Sequence, residues 1–587
     1  MENKNTLSIT TFRVDDGILL LSIFLKIDLP KVLDQHLRRH GNQKGLSWGW
    51  VTTLWLTHIL ARGDHRKLTV RAWIANCQSI LSKAVGFDIQ EIDFTDDRLT
   101  LLLKHFSDVD TWHKIEESLC DAILFAYDLK PEVVRVDATT VSGYHSGGEN
   151  SLFQFGKSKE HPELLNVKIM QTTLDPLGLP LSTTVVPGNR ADDRLYVPAI
   201  QRVISCLNRN GLLFVGDSKM SSHETRAFLQ RQKQRYLTPL ANVGETAKQL
   251  ADWVKKAVDQ PEILQEILPK KEQAIRPAQI ARTGEEGPES CRGYSFERDC
   301  LDTRQDTPLH WKEQVFVVYS PNYAASLRRG LDQRLQSAQE KLLALTMSEK
   351  RKKNTTEEDL RKTAEGLLKQ YRVTGILTYR LERIARTSVK YVGRGRGGPD
   401  RPQQTIETVR YDLTEVGLDE EALKTQRSLL GWRAFVSNAP VSEFSLTNAV
   451  EIYRDQYSIE HGFHRLKGVP LSLSPLFVHR DEQVTGLIHL LSLAVRFLTL
   501  IEHRVRTKLK EQDAGLVGLH LENPKKENRT PTSERLLDQF KEITLTRVRM
   551  GVTETEHIPP HTDVQIRILN LLDLPPNTYY RLANNSG

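Results

Sequence analysis

Two acidic residues lie beside apolar runs where charged groups are uncommon. Asp137 lies within the β-branched run 133–139, and Asp217 comes two residues after the apolar run 212–215. Each run predicts a buried strand, in which a carboxylate is costly unless its charge is compensated. A single Asp at a strand end usually caps a helix or a turn. Ligands gather at strand ends in open α/β sheets. Two Asp residues at adjacent strand ends therefore favour the binding of a hard cation such as Mg²⁺ or Mn²⁺.

A third acid, Glu460, lies in a segment with helical periodicity. At about 100° per residue, the polar residues of segment 453–467 fall on one narrow stripe, and an apolar stripe runs beside it. We therefore predict one helix that packs on a sheet and turns Glu460 toward the site. The Glu460–His464 spacing is not that of an HExxH zinc protease. The polar stripe consists of Tyr453, Gln456, Glu460, His464 and Lys467, and the apolar stripe of Ile452, Ile459, Phe463 and Leu466.

Three carboxylates suit displacement reactions at phosphorus. Two metal ions about 4 Å apart can activate an attacking oxygen and stabilise the leaving oxygen. We expect Asp137 to bridge two Mg²⁺ or Mn²⁺ ions, and Asp217 and Glu460 to hold one ion each. The same site can serve water attack, which frees a 3′-hydroxyl, and then attack by that hydroxyl, because both are in-line displacements.

The elements around these acids predict an α/β fold. Residues 131–240 have the order of three strands, a helix, a strand, a helix and a strand, which is the order of a ribonuclease H-like core. An α+β insertion, 241–437, precedes the closing helices at 438–510. The predicted strands are 133–139, 167–174, 179–186, 212–215 and 235–240, and the predicted helices begin near Asp193 and at a capping box of Ser221 with Glu224.

These motifs resemble those of the DDE transposases of bacterial insertion sequences. Tyr453, Glu460 and Lys467 have the spacing of a Tyr-x2-Arg-x3-Glu-x6-Lys signature, which marks a subgroup with an insertion before the last acid. Within that subgroup, the chain is most similar to the type numbered sixteen-thirty-four. Segments 136–139 and 215–217 are similar to the first two family motifs. The resemblance implies cleavage at transposon ends and strand transfer into target DNA, by a homodimer or larger assembly bound to terminal inverted repeats.

The resemblance also implies which residues contact DNA. In the family, the Tyr, Arg and Lys of the signature contact terminal phosphates. This sequence departs from the signature at Gln456, which replaces the Arg and removes one charge-assisted contact without affecting the metal ligands. A basic glycine-rich loop at 393–398 is a further candidate for phosphate contacts. The expected DNA-binding residues are Tyr453, Gln456, His464, Arg465, Lys467, Arg394 and Arg396.

The remaining segments have separate expected roles. Residues 1–130 read as a helical region, and the basic turn 62–67 between two of its helices makes this region a candidate for binding the DNA end. The insertion contains two long helical patterns, about 323–348 and 357–372, which predict a helical hairpin. The C-terminal region, 511–587, is a dimer contact or a loose tail.

Composition restricts the class of protein only loosely. Lys and Arg outnumber Asp and Glu by 81 to 74, and this surplus of +7 is by itself weak support for a polyanionic partner. The five cysteines include no CxxC pair, which argues against a disulfide scaffold and a structural zinc site. The apolar stretch 487–501 contains His489 and Arg496 and predicts a buried helix, not a membrane span. Without a signal-peptide pattern, we expect a cytoplasmic, nucleoid-associated bacterial protein with no membrane partner.

Other interpretations remain open from the sequence. A ribonuclease H-like nuclease that cuts without joining would need the same three acids, and the fold also accommodates a ribonuclease. A decayed transposase that only binds DNA is a third alternative, which Gln456 leaves open and the three acids argue against. Family members also close DNA hairpins and flip a base onto an aromatic side chain. Trp311 and Trp432 are candidates for that role, although a core position is the more ordinary explanation for each.

Overall fold

The computed structural model describes residues 7–39, 41, 44–148, 151–156, 161–268, 290–347, 356–392, 402–474, 476, 478–520 and 522–583. The chain has a mixed α/β fold with a large central sheet. The strands are β1 Leu7–Arg13, β2 Val133–Gly143, β3 Leu165–Leu174, β4 Leu179–Pro187, β5 Leu213–Gly216, β6 Arg235–Pro239, β7 Gln265–Ile267, β8 Cys291–Asp302, β9 Leu309–Tyr319, β10 Leu377–Tyr391, β11 Gln403–Leu418, β12 Trp432–Ser437, β13 Thr544–Met550 and β14 Thr553–His557.

Helices surround this sheet and form most of the N-terminal region. The helices are α1 Gly17–Lys26, α2 Leu29–Asp34, α3 Trp48–Arg62, α4 Lys67–Val85, α5 Asp96–Ser107, α6 Val109–Ala126, α7 Asp193–Leu207, α8 His223–Arg231, α9 Gly244–Asp259, α10 Pro321–Met347, α11 Glu357–Gln370, α12 Glu420–Ser428, α13 Leu446–Arg454, α14 Tyr457–Lys467, α15 Asp481–Glu511, α16 Ser533–Asp538 and α17 Asp563–Leu571.

The central sheet has nine strands in the order β4-β3-β2-β5-β6-β12-β9-β8-β7 within the described residues. Its first five strands are the five that the sequence predicts between residues 131 and 240. β2, β5 and β6 are parallel to one another, and β3 is antiparallel to both of its neighbours. β5 is buried along its whole length. Its continuous apolar sequence is typical of a strand that is covered on both faces.

The predicted hairpin of β3 and β4 is present, and its turn carries a required glycine. Gly178 has a φ of +68°, which only glycine adopts without strain. A Cβ at this position would lie 2.6 Å from the carbonyl oxygen of Ser458 on α14. The turn therefore lets α14 approach the sheet closely, and this approach places the helix that carries Glu460.

Two helical predictions were wrong in detail. Segment 453–467 is not one helix, because α13 ends at Arg454 and α14 begins at Tyr457. In a continuous helix, the Gln456 amide would donate to the Ile452 carbonyl. Here Arg135 donates to that carbonyl, and the Gln456 amide donates to the Tyr453 carbonyl at 3.3 Å.

The start of α8 also differs from the predicted capping box. Ser222, not Ser221, is the N-cap, and its hydroxyl accepts from the Thr225 amide at 3.2 Å. The Ser221 hydroxyl donates to the Ser218 carbonyl, 2.7 Å away, and so takes no part in the cap.

The predicted insertion contributes to two parts of the molecule. β7, β8, β9 and β12 extend the central sheet beyond β6, so this portion shares the core of the sheet. The predicted helical hairpin is present as α10 and α11. Together with α12 and the long two-stranded sheet of β10 and β11, it forms a separate apolar cluster. That cluster includes Leu331, Leu342, Leu368, Leu413 and Leu423.

The N-terminal helices pack around α15, which agrees with the predicted buried helix. α15 is long and apolar enough to cross a membrane, but 94% of its most apolar window is buried inside the protein. Gly486 allows α15 to cross α5, because a Cβ there would lie 2.0 Å from Leu103 O. Buried Arg496 on α15 forms an ion pair with Glu116 of α6, at 3.0 Å. The C-terminal region joins the same body, since β13 pairs with the N-terminal strand β1.

Candidate active site

The strand register places Asp137 beside Asp217. β2 and β5 pair in parallel, with Val133 opposite Leu213 and Val136 opposite Gly216. The next residue on each strand is one of the two acids, so both carboxylates lie at the same edge of the sheet. Both line a cavity of about 10 Å³, which is also lined by Tyr453, Gln456 and Ile459. Those three residues come from α13, from α14 and from the turn between them.

Asp217 is held in place by two donors to one carboxylate oxygen. Its Oδ1 accepts hydrogen bonds from the Tyr196 hydroxyl at 2.6 Å and from the Lys219 amide at 2.8 Å. Tyr196 is only 1% exposed. Burial, together with the charges of Asp217 and Asp137, raises the pKa of Tyr196 well above its usual value. Tyr196 therefore stays protonated and donates to Asp217 across the ordinary pH range.

Tyr196 is a site residue that the sequence analysis missed. It lies on the buried face of α7, 21 positions before Asp217, among ordinary apolar residues. No local pattern distinguishes it from a core tyrosine. The Oδ1 atom of Asp137 accepts a hydrogen bond from the Ala138 amide at 2.8 Å.

A buried ion pair connects the sheet to α14. Arg135 on β2 donates to Asp175, with Nε 2.8 Å from Oδ1, and both side chains are nearly inaccessible. Asp175 also accepts from the Ser458 hydroxyl at 3.0 Å. Burial raises the pKa of Asp175, and the adjacent Arg135 guanidinium opposes that rise. These bonds join β2, the β3–β4 turn and α14, so they fix the helix that carries the third acid.

Glu460 lies at the rim of the site. Its side chain is exposed, and it is not among the residues that line the cavity. The Glu460 amide bonds to the Gln456 carbonyl at 3.5 Å, so Glu460 lies one helical turn beyond a lining residue. The structure thus brings Asp137, Asp217, Tyr453 and Gln456 together and leaves Glu460 next to them, open to solvent.

The other predicted DNA contacts are in different environments. Tyr453 packs on Phe435 with ring centroids 4.7 Å apart. Burial raises the pKa of Tyr453. The charge of Arg433 opposes this rise, and the charges of Asp217 and Asp137 add to it. His464 is exposed and Lys467 is half-buried on α14. Arg394 and Arg396 lie outside the described residues.

Arg465 lies in the interior, away from any DNA-accessible surface. Its side chain is 3% exposed and forms ion pairs with Glu502 of α15 and Glu534 of α16, and its Nη2 donates to Ser533 at 3.0 Å. The predicted phosphate contact by Arg465 therefore does not fit the structure. This prediction failed because Glu502 and Glu534, which are distant in sequence, pair with Arg465 in the interior.

No neighbouring arginine of α13 or α14 replaces the missing arginine at position 456 within the described residues. Arg454, two positions earlier, donates to the sulfur of Cys291 at 2.6 Å. Arg465 is buried as described. Gln456 itself lines the cavity, so this position presents a neutral amide to the site.

The donor set fits a hard divalent cation. Among the residues lining the cavity, the carboxylates of Asp137 and Asp217 offer oxygen ligands of the kind that Mg²⁺ prefers. Arg135 is the lining cation, and its guanidinium is already paired with Asp175. The cavity has room for about one water-sized species.

The comparison with protein families identifies the chain. The family model described as "Transposase DDE domain" matches residues 128–497, which is more than half of the chain. The chain belongs to the DDE transposase family. The matched segment of this transposase begins just before β2 and ends within α15, so it contains the central sheet, both aspartates and Glu460.

Two solved transposase structures have limited similarity to this transposase. One is a piggyBac transposase synaptic complex with hairpin DNA, with 8% identity and a TM-score of 0.34, covering 97% of this chain and 84% of that one. The other is a Mos1 transposase paired-end complex with left transposon end, with 11% identity and a TM-score of 0.14, covering 36% and 77% of the two chains. No curated protein matches this transposase. The assignment to the family therefore depends on the domain match.

Proposed function

We propose that this transposase cleaves DNA at transposon ends and joins them to target DNA with divalent metal ions held by Asp137, Asp217 and Glu460. The observation that carries the proposal is the β2–β5 register, which aligns the two aspartates at one edge of a sheet. The strand order β4-β3-β2-β5-β6, with β3 antiparallel, supports a ribonuclease H-like core. The closing helix α14 supplies the third acid at the rim of that edge.

The three acids differ in the part each would take in metal binding. Asp137 and Asp217 would hold one Mg²⁺ or Mn²⁺ ion, and Asp137 and Glu460 a second ion at the open rim. When bound, two such ions polarise an attacking and a leaving oxygen at the same phosphorus. An exposed Glu460 is compatible with this arrangement, because the rim is the side from which DNA would approach.

The other residues of the site would orient the reactants. Tyr196 and the Lys219 amide keep the Asp217 carboxylate in one orientation through their shared acceptor oxygen. Tyr453, Gln456, His464 and Lys467 would contact the terminal phosphates, and a neutral Gln456 would make one of these contacts weaker than an arginine would.

The partners of the proposed reaction are two DNA molecules and a second subunit. We propose the terminal inverted repeats of a bacterial insertion sequence of the Tyr-Arg-Glu-Lys type as substrate and unrelated DNA as target. Holding two ends together requires a homodimer or a larger assembly. The reaction would take place in the bacterial cytoplasm, at the nucleoid.

The test is cleavage of labelled DNA that carries the element's own terminal repeats, in the presence of Mg²⁺. We expect the wild type to cut at the repeat boundary, and we expect Asp137→Ala, Asp217→Ala and Glu460→Ala each to abolish cutting while end binding persists. The matched control is Glu482→Ala, which removes an exposed acid at the start of α15. Full cleavage by any one of the three variants would remove that residue from the site.

A second assay separates joining from cutting. Pre-cleaved ends with a free 3′-hydroxyl are incubated with a supercoiled target and Mg²⁺. Strand-transfer products support a transposase, whereas cleavage without transfer indicates a nuclease. If the protein binds the repeats and neither cuts nor joins them, it is a DNA-binding relic.

A further inference from the structure

A second cluster of metal-binding side chains lies where α6 meets α7, in a position that the proposed transposition chemistry does not use. His113, Glu117 and Cys120 are spaced four and three residues apart on α6, so they share one helix face. Cys206 comes from the last turn of α7. Candidate ligand atoms of His113, Glu117 and Cys206 all lie within 4.8 Å of one another.

The side chains of this cluster range from buried to half-exposed. Cys120 and Cys206 are 3% and 6% exposed, whereas His113 and Glu117 are 32% and 38% exposed. The Nε2 atom of His113 is nevertheless shielded from solvent and makes no hydrogen bond to the described residues. Glu117 Oε1 lies 3.5 Å from it. A metal ion would satisfy this shielded ring nitrogen.

We propose that His113, Glu117 and Cys206 bind a Zn²⁺ ion. One imidazole nitrogen, one carboxylate oxygen and one sulfur form a donor set that suits Zn²⁺ and disfavours Mg²⁺, which takes oxygen ligands. The Cys206 thiol loses its proton to solvent when the ion binds, and one zinc–sulfur bond forms.

Such an ion would connect the N-terminal helical region to the family-matched region. α6 precedes the matched segment, whereas α7 lies within it. α7 also carries Tyr196, which bonds Asp217 of the candidate active site. Zinc at the C-terminal end of α7 would therefore act as a structural support for the helix that orients a catalytic acid, without touching the reacting groups.

The test uses cobalt as a spectroscopic substitute for zinc in the full-length protein. We expect the purified wild type to retain one zinc ion per chain after gel filtration, and its cobalt form to show thiolate-to-metal charge-transfer absorption in the near ultraviolet. Asp137, Asp217 and Glu460 supply no sulfur, so cobalt bound there gives no such band. Cys206→Ser should lose both the stoichiometric zinc and the band, because Cys206 supplies the thiolate.

Two further variants keep the proposal falsifiable if the Cys206→Ser variant fails to fold. His113→Gln changes a half-exposed residue and should lose zinc while the fold persists. Cys77→Ser, at a buried cysteine far from the cluster, should keep both the zinc and the band. Absence of any thiolate–cobalt band in the reduced wild type would overturn the proposal. A Cys120–Cys206 disulfide in the purified protein, with no zinc uptake after reduction, would also overturn it.

Discussion

The hydrogen bond from Tyr196 to Asp217 allows a sharp test of how the site is held together. Replacing Tyr196 with Phe removes one hydroxyl from a side chain that is 1% exposed and keeps the ring that packs in the core. Asp217 would keep its bond from the Lys219 amide but would be free to rotate about that single anchor. We therefore expect the Tyr196→Phe variant to fold normally and to bind metal less well.

The size of the effect follows from the bond that is lost. A hydrogen bond to a charged group contributes about 1.5–3 kcal/mol, and each 1.4 kcal/mol corresponds to about tenfold in a rate or a binding constant. Groups that orient a metal ligand typically change metal affinity or activity by about 10- to 100-fold. We expect a loss of that order, and we expect high Mg²⁺ concentrations to restore part of it.

The assay is end cleavage measured over a series of Mg²⁺ concentrations. The control is Tyr294→Phe, because Tyr294 is also buried and its hydroxyl donates to the Trp253 carbonyl at 2.9 Å, away from the site. Both variants lose one buried hydroxyl, so only a role at Asp217 distinguishes them. If Tyr196→Phe cleaves like the wild type at every Mg²⁺ concentration, the hydrogen bond does not position Asp217.

Two further predictions concern stability. Asp16 is fully buried, neither of its carboxylate oxygens has a hydrogen-bond partner in the described residues, and burial raises its pKa to about 7. Between its unfolded pKa near 4 and its folded pKa, the native state binds the extra proton, so stability falls as pH rises. Wild-type stability should fall by about 2–3 kcal/mol between pH 5 and pH 8, because about two of these pH units lie below the folded pKa, and Asp16→Asn should abolish this fall. Urea unfolding at both pH values measures this, and equal slopes in both proteins would contradict it. Arg465→Met should remove one of the two arginine partners of buried Glu502, since Arg506 stays 3.1 Å away, and should destabilise the protein by about 1.5–3 kcal/mol. Thermal unfolding tests this, and a variant with unchanged stability but weakened DNA binding would return Arg465 to the DNA-contacting set.

The sequence predicted the core strands correctly and placed Asp137 and Asp217 at neighbouring strand ends, because strands and acids beside them have local signatures. An apolar β-branched run buried on both faces must exclude charge, so a carboxylate at its end is conspicuous without any structure. Asp137 and Asp217 could be found in this way, and the order of elements placed their strands next to each other. Helix α15 was predicted as buried for a similar reason, since its apolar stretch contains His489 and Arg496.

The exact placement of the third acid could not be predicted in the same way. Helical periodicity put Tyr453 and Glu460 on one stripe of a single helix, but the helix is interrupted between Arg454 and Tyr457, and Arg135 donates to the Ile452 carbonyl just before the break. This bond comes from a residue more than 300 positions away in the chain. Periodicity describes an undisturbed helix and contains no information about such distant partners.

The sequence by itself thus determined the class of the protein, the strands of the core and the position of two acids at neighbouring strand ends. Tertiary structure decided which side chains meet. It buried Arg465 between two acids, placed Tyr196 on Asp217, and joined Cys206 to His113 and Glu117 across two helices. The physical reason is that burial and periodicity act on neighbouring residues and leave local patterns, whereas contacts between distant segments depend on how the elements pack.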